Sequence, residues 1–318
     1  MATLTAVKMM KAVRMHGYGG PEMLNYEEVQ CPEPGTGEIR IRVHAAGVNP
    51  VDWKIREGYL REARKDPLPL TPGWDVSGVV DSIGPDVRRF MEGDQVFSRP
   101  DLLRNGAYAE YIVVRESEAA FKPRKLDHVH AAAVPLAALT AWQALFDGAG
   151  LKPGQTCLIH GAAGGVGSFA VQLAKWKGAR VIGTASARNQ DFLRLLGVDD
   201  AIDYQATRFD EILKDVDVVF DTIGGETLRR SWKVLRRGGV LVSIAAAPSE
   251  EDSNQFGVRG TLVNVQPNSG QLAKIADLVD SGKLKPFVET IFPLSEAARA
   301  QELSRSGHTR GKIVLRVL

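Results

Sequence analysis

The chain has 318 residues, 44% of them hydrophobic and 25% charged, with 40 Lys and Arg against 38 Asp and Glu and a formal net charge of +2. That length suits about two ordinary domains, and the balance excludes a disordered chain. Charges of both signs are scattered, which excludes the basic stripe of a nucleic-acid binder or of a protein held on an anionic membrane and leaves small molecules as the expected partners.

The first stretch, Met1 to Lys11, holds a short apolar run broken by Lys8 and Lys11 and lacks the apolar core of a secretory signal. No later segment reaches the roughly 18 uninterrupted apolar residues of a membrane span. Cys31 and Cys157 stand far apart, which gives neither a disulfide framework nor a Cys-x-x-Cys pair and fits a reducing compartment. A cytoplasmic protein is the expectation.

From Lys11 to about Pro123, apolar runs at Ile39–Val43, Val76–Ser82 and Tyr108–Val114 are separated by turns at Pro34-Gly35, Gly84-Pro85 and Glu92-Gly93-Asp94. This half is predicted to be mostly β. The character changes near Val134. Strand-like runs at Thr156–His160, Arg180–Thr184, Val216–Asp221 and Val240–Ile244 alternate with helical stretches at Val166–Lys177, Gln190–Leu196 and Glu226–Leu235. Such alternation implies right-handed crossovers and an α/β doubly wound parallel sheet. The tail from Gln271 carries an amphipathic helix with Leu272, Ile275, Ala276, Leu278 and Val279 on one face, then a strand-like Lys312–Leu318. A β-rich start, a wound middle and a mixed tail allow the tail to return and complete the first domain.

Within Cys157–Gly167 an apolar strand turns into a helix, with glycine at 161, 164, 165 and 167 and Val166 between the last two. Glycine lets backbone approach a pyrophosphate, and the helix N-terminus beyond offers free N–H groups and partial positive charge. The strand before, the helix after and the surrounding βα units are the context that this motif requires. An acid about 20 residues on would hold the ribose 2′-hydroxyl of NAD. Residues 181–189 contain none; Ser186 can donate a hydrogen bond and Arg188 can pair with a 2′-phosphate, which favours NADPH. A solvated cation at a helix start satisfies the same residue.

Several further runs join this turn: Ala45–Lys54, Pro72–Gly78, Gly93–Val96, Gly106–Tyr111, Leu139–Trp142 and Asp221–Gly225. Together they resemble the medium-chain dehydrogenase/reductase superfamily, in its quinone oxidoreductase and enone reductase branch, nearly end to end. The resemblance implies a GroES-like β-barrel catalytic domain at 1–134 completed by 267–318, a Rossmann NADPH-binding domain at 135–266, and an active site in the cleft. It implies that Asn49 and Lys54 lie beside nicotinamide and substrate, and that Thr140, Thr222, Ile244, Ala245, Val265 and Pro267 contact the cofactor. Tyr204 is implied near the 2′-phosphate, where relatives also carry a Lys that is Gln190 here. It also implies a homodimer, with strand addition at Gly260–Val265, whose open apolar edge would otherwise invite aggregation.

Aligned by these motifs, the ligand positions of zinc-dependent relatives fall on Asn49, Trp74 and Leu136, which cannot build a three-ligand catalytic zinc. Their proton-relay hydroxyl is Val51 here, and their four-cysteine lobe is missing. His128-x-His130 has no partner at metal spacing and is read as capping or solvated, and His160 as a packed histidine. No metal is expected. Quinones and α,β-unsaturated carbonyls suit such a site, because their own conjugated carbonyl accepts the charge as hydride arrives. Lys54 and Asn49 would donate to that oxygen; a turn asparagine before Pro50 and a solvent-facing lysine satisfy the same chemistry. The acceptor pocket is expected in loops such as Gly58–Pro69 and Ala246–Arg259. Two alternatives stay open: an NADPH-binding protein without turnover, in a sensor or structural role, and a zinc-free alcohol or aldehyde reductase.

Overall fold

The computed structural model describes residues 8–62 and 68–318. The reading of the N-terminal stretch therefore falls largely outside the described residues, as does the middle of the loop at 58–69. The chain divides into two compact units, one of residues 1–136, 267–280 and 288–318, the other of 137–266 and 281–287.

In the first unit, β1 (Met9–Met15) and β2 (Leu24–Gln30) form an antiparallel hairpin. Then β3 (Glu38–Val48) leads into a short helix α1 (Pro50–Arg56), followed by β4 (Val76–Ile83), β5 (Gln95–Ser98), β6 (Tyr111–Arg115) and β7 (Ala119–Phe121). Ile39, Ile41 and Val43 alternate along β3 and are fully buried, as a half-buried strand requires. They join Val76, Val80, Val96, Ile112 and Ile313 in one apolar core. Two helices, α2 (His128–Ala132) and α3 (Pro135–Trp142), lead toward the second unit.

The second unit begins with β8 (Thr156–Ile159) and continues through α4 (Gly165–Lys177), β9 (Arg180–Ala185), α5 (Gln190–Leu196), β10 (Asp200–Asp203), α6 (Phe209–Ile212), β11 (Val216–Asp221), α7 (Gly225–Ser231), β12 (Leu235–Ser243), α8 (Glu250–Phe256) and β13 (Arg259–Leu262). All neighbouring strands are parallel, in the order β10-β9-β8-β11-β12-β13. The order reverses between β8 and β11, the place where doubly wound sheets bind ligands at their carboxyl ends. Leu158, Ile182, Val219, Trp232 and Leu241 fill its core.

The tail supplies α9 (Ser269–Asp280), β14 (Val288–Pro293), α10 (Ala297–Arg305) and β15 (Lys312–Arg316). The five apolar residues of the expected amphipathic face on α9 are all buried. Antiparallel to β3, β15 pairs Ile313 with Val48, so the tail extends the first unit's sheet in the order β14-β15-β3-β4-β5-β7. Between α9 and β14, residues 281–287 belong instead to the second unit. Gln172 grips Lys285 through both backbone groups, and Phe287 packs edge-on against Phe192. No helix among the described residues is long and apolar enough to cross a membrane.

Candidate active site

In the second unit the expected cofactor residues other than Thr140, which lies on α3, follow the carboxyl ends of the parallel strands, and Pro267 lies just past the unit's end. Gly161 follows β8 with φ +65, and a Cβ there would meet Thr222 Oγ1 at 2.5 Å. That hydroxyl donates to the His160 carbonyl at 2.8 Å, which ties the ends of β8 and β11 together. At Gly167 a Cβ would lie 2.2 Å from the Gly161 oxygen, so α4 seats on the turn only because this residue has no side chain. Gly164 precedes α4 in extended conformation and provides no side-chain cap. The first-turn N–H groups, at Gly165, Val166 and Gly167, therefore have no intrahelical acceptor and remain for an anion. A pyrophosphate fits this cradle.

At the next strand ends, Asp203 is in register with Ala185 and the Tyr204 N–H donates to the Ala185 carbonyl at 3.3 Å. This brings Tyr204, more than half exposed, to the same corner as Ser186 and the exposed Arg188. Asp203 in that corner accepts from the N–H of Gln205 and so closes its own turn. Gln190 donates to the carbonyls of Ala185 and Ser186, so it is spent on the backbone. Ile244 and Ala245 follow β12, and Gln143 holds Gln266 by both backbone groups, which places the segment from Val265 to Pro267. Thr140 lies buried on α3.

Two side chains outside the expected set organise these loops. Buried Asp221 accepts from the N–H groups of Ile223 and Gly224 and from the Ser243 hydroxyl, while Ser243 Oγ accepts from Ala245 and Ala246. One carboxylate thus fixes both loops beyond β11 and β12; an acid closing an apolar strand was the available signal. His160 is buried between the hydroxyls of Thr184 and Ser231, and burial pushes its pKa down to about 4. A neutral packing histidine is what those partners need.

In the first unit Asn49 starts α1. Its N–H donates to Asp52 Oδ2 at 2.8 Å, its amide Nδ2 donates to Asp75 Oδ2 at 2.8 Å, and its Oδ1 accepts from the Lys312 ammonium. The expected substrate donor is only 2% exposed and has an amide engaged at both ends. Lys54, on the same helix, is half-buried, with its ammonium 5.7 Å from the centre of the Trp53 ring and no hydrogen bond or ion pair among the described residues. The positions aligned with zinc ligands do converge in part, because the N–H of Leu136 donates to Asp75 Oδ1 while Trp74, next in the chain, is fully buried. Their meeting point is an ion pair, Lys312 with Asp75 at 3.2 Å. Beneath it, the Tyr108 hydroxyl donates to Asp52 Oδ2 at 2.7 Å. Burial raises Asp52 to about 7 despite Tyr108, the Asn49 N–H and Lys312, and raises Asp75 too.

The two remaining histidines of the expected capping pair serve the fold. His130 pairs with Asp127 at the start of α2, and His128 bonds Ser77 and stacks on His44 with ring centres 4.2 Å apart. Among the described residues, no three His, Cys, Asp or Glu side chains gather as a metal set.

Residues 35–124 match the family model described as alcohol dehydrogenase GroES-like domain, and residues 196–315 match the one described as zinc-binding dehydrogenase. The chain is 35% identical to the mouse protein named NAD(P)H oxidoreductase RTN4IP1, mitochondrial, over 98% of this chain and 90% of that one. It is 36% identical to the Arabidopsis thaliana NADPH-dependent alkenal/one oxidoreductase, chloroplastic, over 97% of this chain and 80% of the relative. The solved quinone oxidoreductase of Coxiella burnetii superposes with a TM-score of 0.92 at 38% identity, covering 98% of this chain and all of that one. The chain is an oxidoreductase of the medium-chain dehydrogenase/reductase superfamily and belongs to its quinone oxidoreductase branch.

Proposed function

We propose that this enzyme transfers hydride from NADPH to a quinone or an α,β-unsaturated carbonyl, without zinc, as a homodimer. The observation that carries the reading is that the positions of the zinc ligands hold Asn49, Trp74 and Leu136, and that the carboxyl group beside them, Asp75, is already taken by Lys312, Asn49 and the Leu136 N–H. An amide, an indole and an alkyl side chain offer no thiolate or imidazole to a divalent metal, so the acceptor must stabilise its own developing charge. Quinones and enones do so by conjugation. Reduced nicotinamide supplies the hydride when bound.

The chain's own work is then to bind and orient. The first turn of α4 holds the pyrophosphate, and Ser186, Arg188 and Tyr204 receive the 2′-phosphate. No acid stands in residues 181–189 to prefer a free ribose hydroxyl. Lys54, with no acid neutralising it among the described residues, is the donor for the acceptor oxygen. Both cysteines are buried and free, which supports a reducing compartment such as the cytoplasm. Strand β13 ends the wound sheet and leaves one row of backbone groups for a second copy.

The test follows NADPH absorbance with 9,10-phenanthrenequinone and with a simple enone, with and without chelator, beside elemental analysis. NADPH consumption unaffected by chelator, in protein free of stoichiometric zinc, is expected. Binding of NADPH with turnover of neither acceptor would make the chain a sensor or structural protein, and activity lost together with about one zinc per chain would overturn the metal-free reading.

A further inference from the structure

We infer that Lys312 is a positioning residue for hydride transfer, acting through Asn49 on the start of α1 and so on where Lys54 is presented. The inference rests on the reading that Lys54 serves the acceptor.

Lys312 opens β15, whose next residue pairs with Val48 at the end of β3, so its side chain arrives where β3 gives way to α1. The ammonium is nearly fully buried and donates to the Val48 carbonyl at 2.9 Å, to Asn49 Oδ1 and to Asp75 Oδ2 at 3.2 Å. Three acceptors use the three donors of an ammonium, leaving none for substrate. Asn49 is thereby held from both sides, by Lys312 and by Asp75. Its backbone N–H meets Asp52 and its carbonyl accepts from the Asp52 N–H at 3.0 Å, which fixes the first turn.

The far end of α1 is fixed as well. Arg56, fully buried, donates to the Gly19 carbonyl, to Gln301 and to Glu302. Lys54 lies between these two anchors, on a helix of 7 residues too short to hold itself. Burial raises both Asp52 and Asp75, so the cluster favours neutral carboxyl groups except where Lys312 lies against Asp75 at 3.2 Å. Asn49 and Lys312 thus shape the site and do not touch the acceptor.

The experiment compares the NADPH-loaded enzyme with Lys312→Arg, with Lys54→Met, and with a Lys312→Met, Asp75→Asn double variant in which neither buried charge is orphaned. Asn49→Ala, which leaves the ion pair intact, serves if the double variant fails to fold. Thermal melts and NADPH affinity establish the folded state. Single-turnover hydride transfer to an enone should fall at least about tenfold in the double variant, with KM changing less than about threefold. Lys312→Arg should recover most of the rate. Adding Lys54→Met to the double variant should cost little more, because both changes remove the same interaction. Parental rates in a folded double variant, or losses that multiply with Lys54→Met, would overturn the inference. A second readout is independent of turnover: the carbon-13 resonance of reductively methylated Lys54. If neither acceptor is reduced by the parent enzyme, the proposed function fails, while a resonance displaced in the Lys312 and Asn49 variants still supports positioning; an unmoved one overturns it.

Discussion

In the wound unit the site is made of backbone, and in the other unit it is made of side chains brought together from distant parts of the chain. The turn from Gly161 to Gly167 presents N–H groups and owes its shape to atoms that are missing, the Cβ atoms of its glycines. Around Asn49 the reverse holds: Asp75 and Lys312 are 237 residues apart and are joined, to each other and to Asn49, through side-chain atoms. A backbone site tolerates change in any side chain that points elsewhere but not the addition of one carbon at the wrong place. A side-chain site tolerates crowding better than the loss of a charge, because each buried charge there depends on its partner.

The sharpest way to test that contrast is Gly167→Ala. The new Cβ would meet the Gly161 oxygen at 2.2 Å and Ala162 Cα at 2.7 Å, both backbone atoms that cannot swing aside. Expected are a loss of about 1–3 kcal/mol in stability from overpacking and a fall in NADPH affinity of about 100-fold or more as the N–H cradle opens, roughly 2.7 kcal/mol. Fluorescence titration and a thermal melt measure the two; unchanged affinity would show that the cradle is not where the pyrophosphate sits.

A second test probes the side-chain cluster by pH. The folded pKa of Asp52 is raised from 3.8 to about 7, so the native state binds the extra proton between those values. Its contribution to stability is full below the unfolded pKa, falls as pH rises from about 4 to about 7, and is gone above. Half-buried His128 and buried His160, both pushed down to about 4, act with the opposite sign, adding stability as pH rises toward 6.5. The difference between the parent and Asp52→Asn isolates the carboxyl. In denaturant melts the parent should lose up to ~4 kcal/mol relative to the variant between pH 4 and 7. A flat difference curve would place Asp52 in a wetter setting than its burial implies.

The same division governs what the sequence could disclose. Spacing and periodicity placed α5 at Gln190–Leu196 and β11 at Val216–Asp221, where they are found, because those patterns report local backbone. Helix α7 passes after Ser231 into a 3-10 turn at Trp232–Val234, and the helical run ends one residue short of the expected Leu235 because Leu235 opens β12. Strand β10 escaped notice, since within Asp200–Asp203 only Ile202 is a buried apolar residue and pairing with β9 supplies the rest. Lys312 read as the unremarkable first residue of a strand, and Asp75 as part of a motif. Nothing local ties the two, so their meeting at Asn49, and the consequence that this amide is occupied, became visible only once the chain was folded.

A smaller effect is expected where the backbone cradle gives way to exposed side chains. Arg188 is solvent-exposed, so its pairing with a 2′-phosphate is screened and should be worth the lower end of a charged hydrogen bond, ~1.5 kcal/mol. Arg188→Ala should weaken NADPH binding about tenfold and leave NADH binding unchanged. Calorimetric titration with both cofactors decides it, and equal losses for the two would assign Arg188 to folding of the loop.

The smallest effect on the fold, though a visible one on assembly, is expected at β13. This strand pairs only with β12 among the described strands, through Val240–Ser243 against Arg259–Leu262, and its other side is a row of backbone donors and acceptors on which the Gly260 N–H is already taken by Ser253 Oγ. Leu262, 39% exposed, stands on that edge as an apolar side chain where open edges usually carry charge or proline. Two copies adding strand to strand would satisfy the row and cover Leu262 with its counterpart's surroundings. Leu262→Lys restores the charge that discourages pairing and brings like charges together across a twofold axis. Light scattering at micromolar concentration should then show a dimer for the parent and a monomer for the variant. The folding stability of the separated chain should move by no more than about 0.5 kcal/mol, as exposed substitutions usually do. A parent already monomeric would leave the edge to be protected by its own geometry, and a variant still dimeric would place the interface on another face.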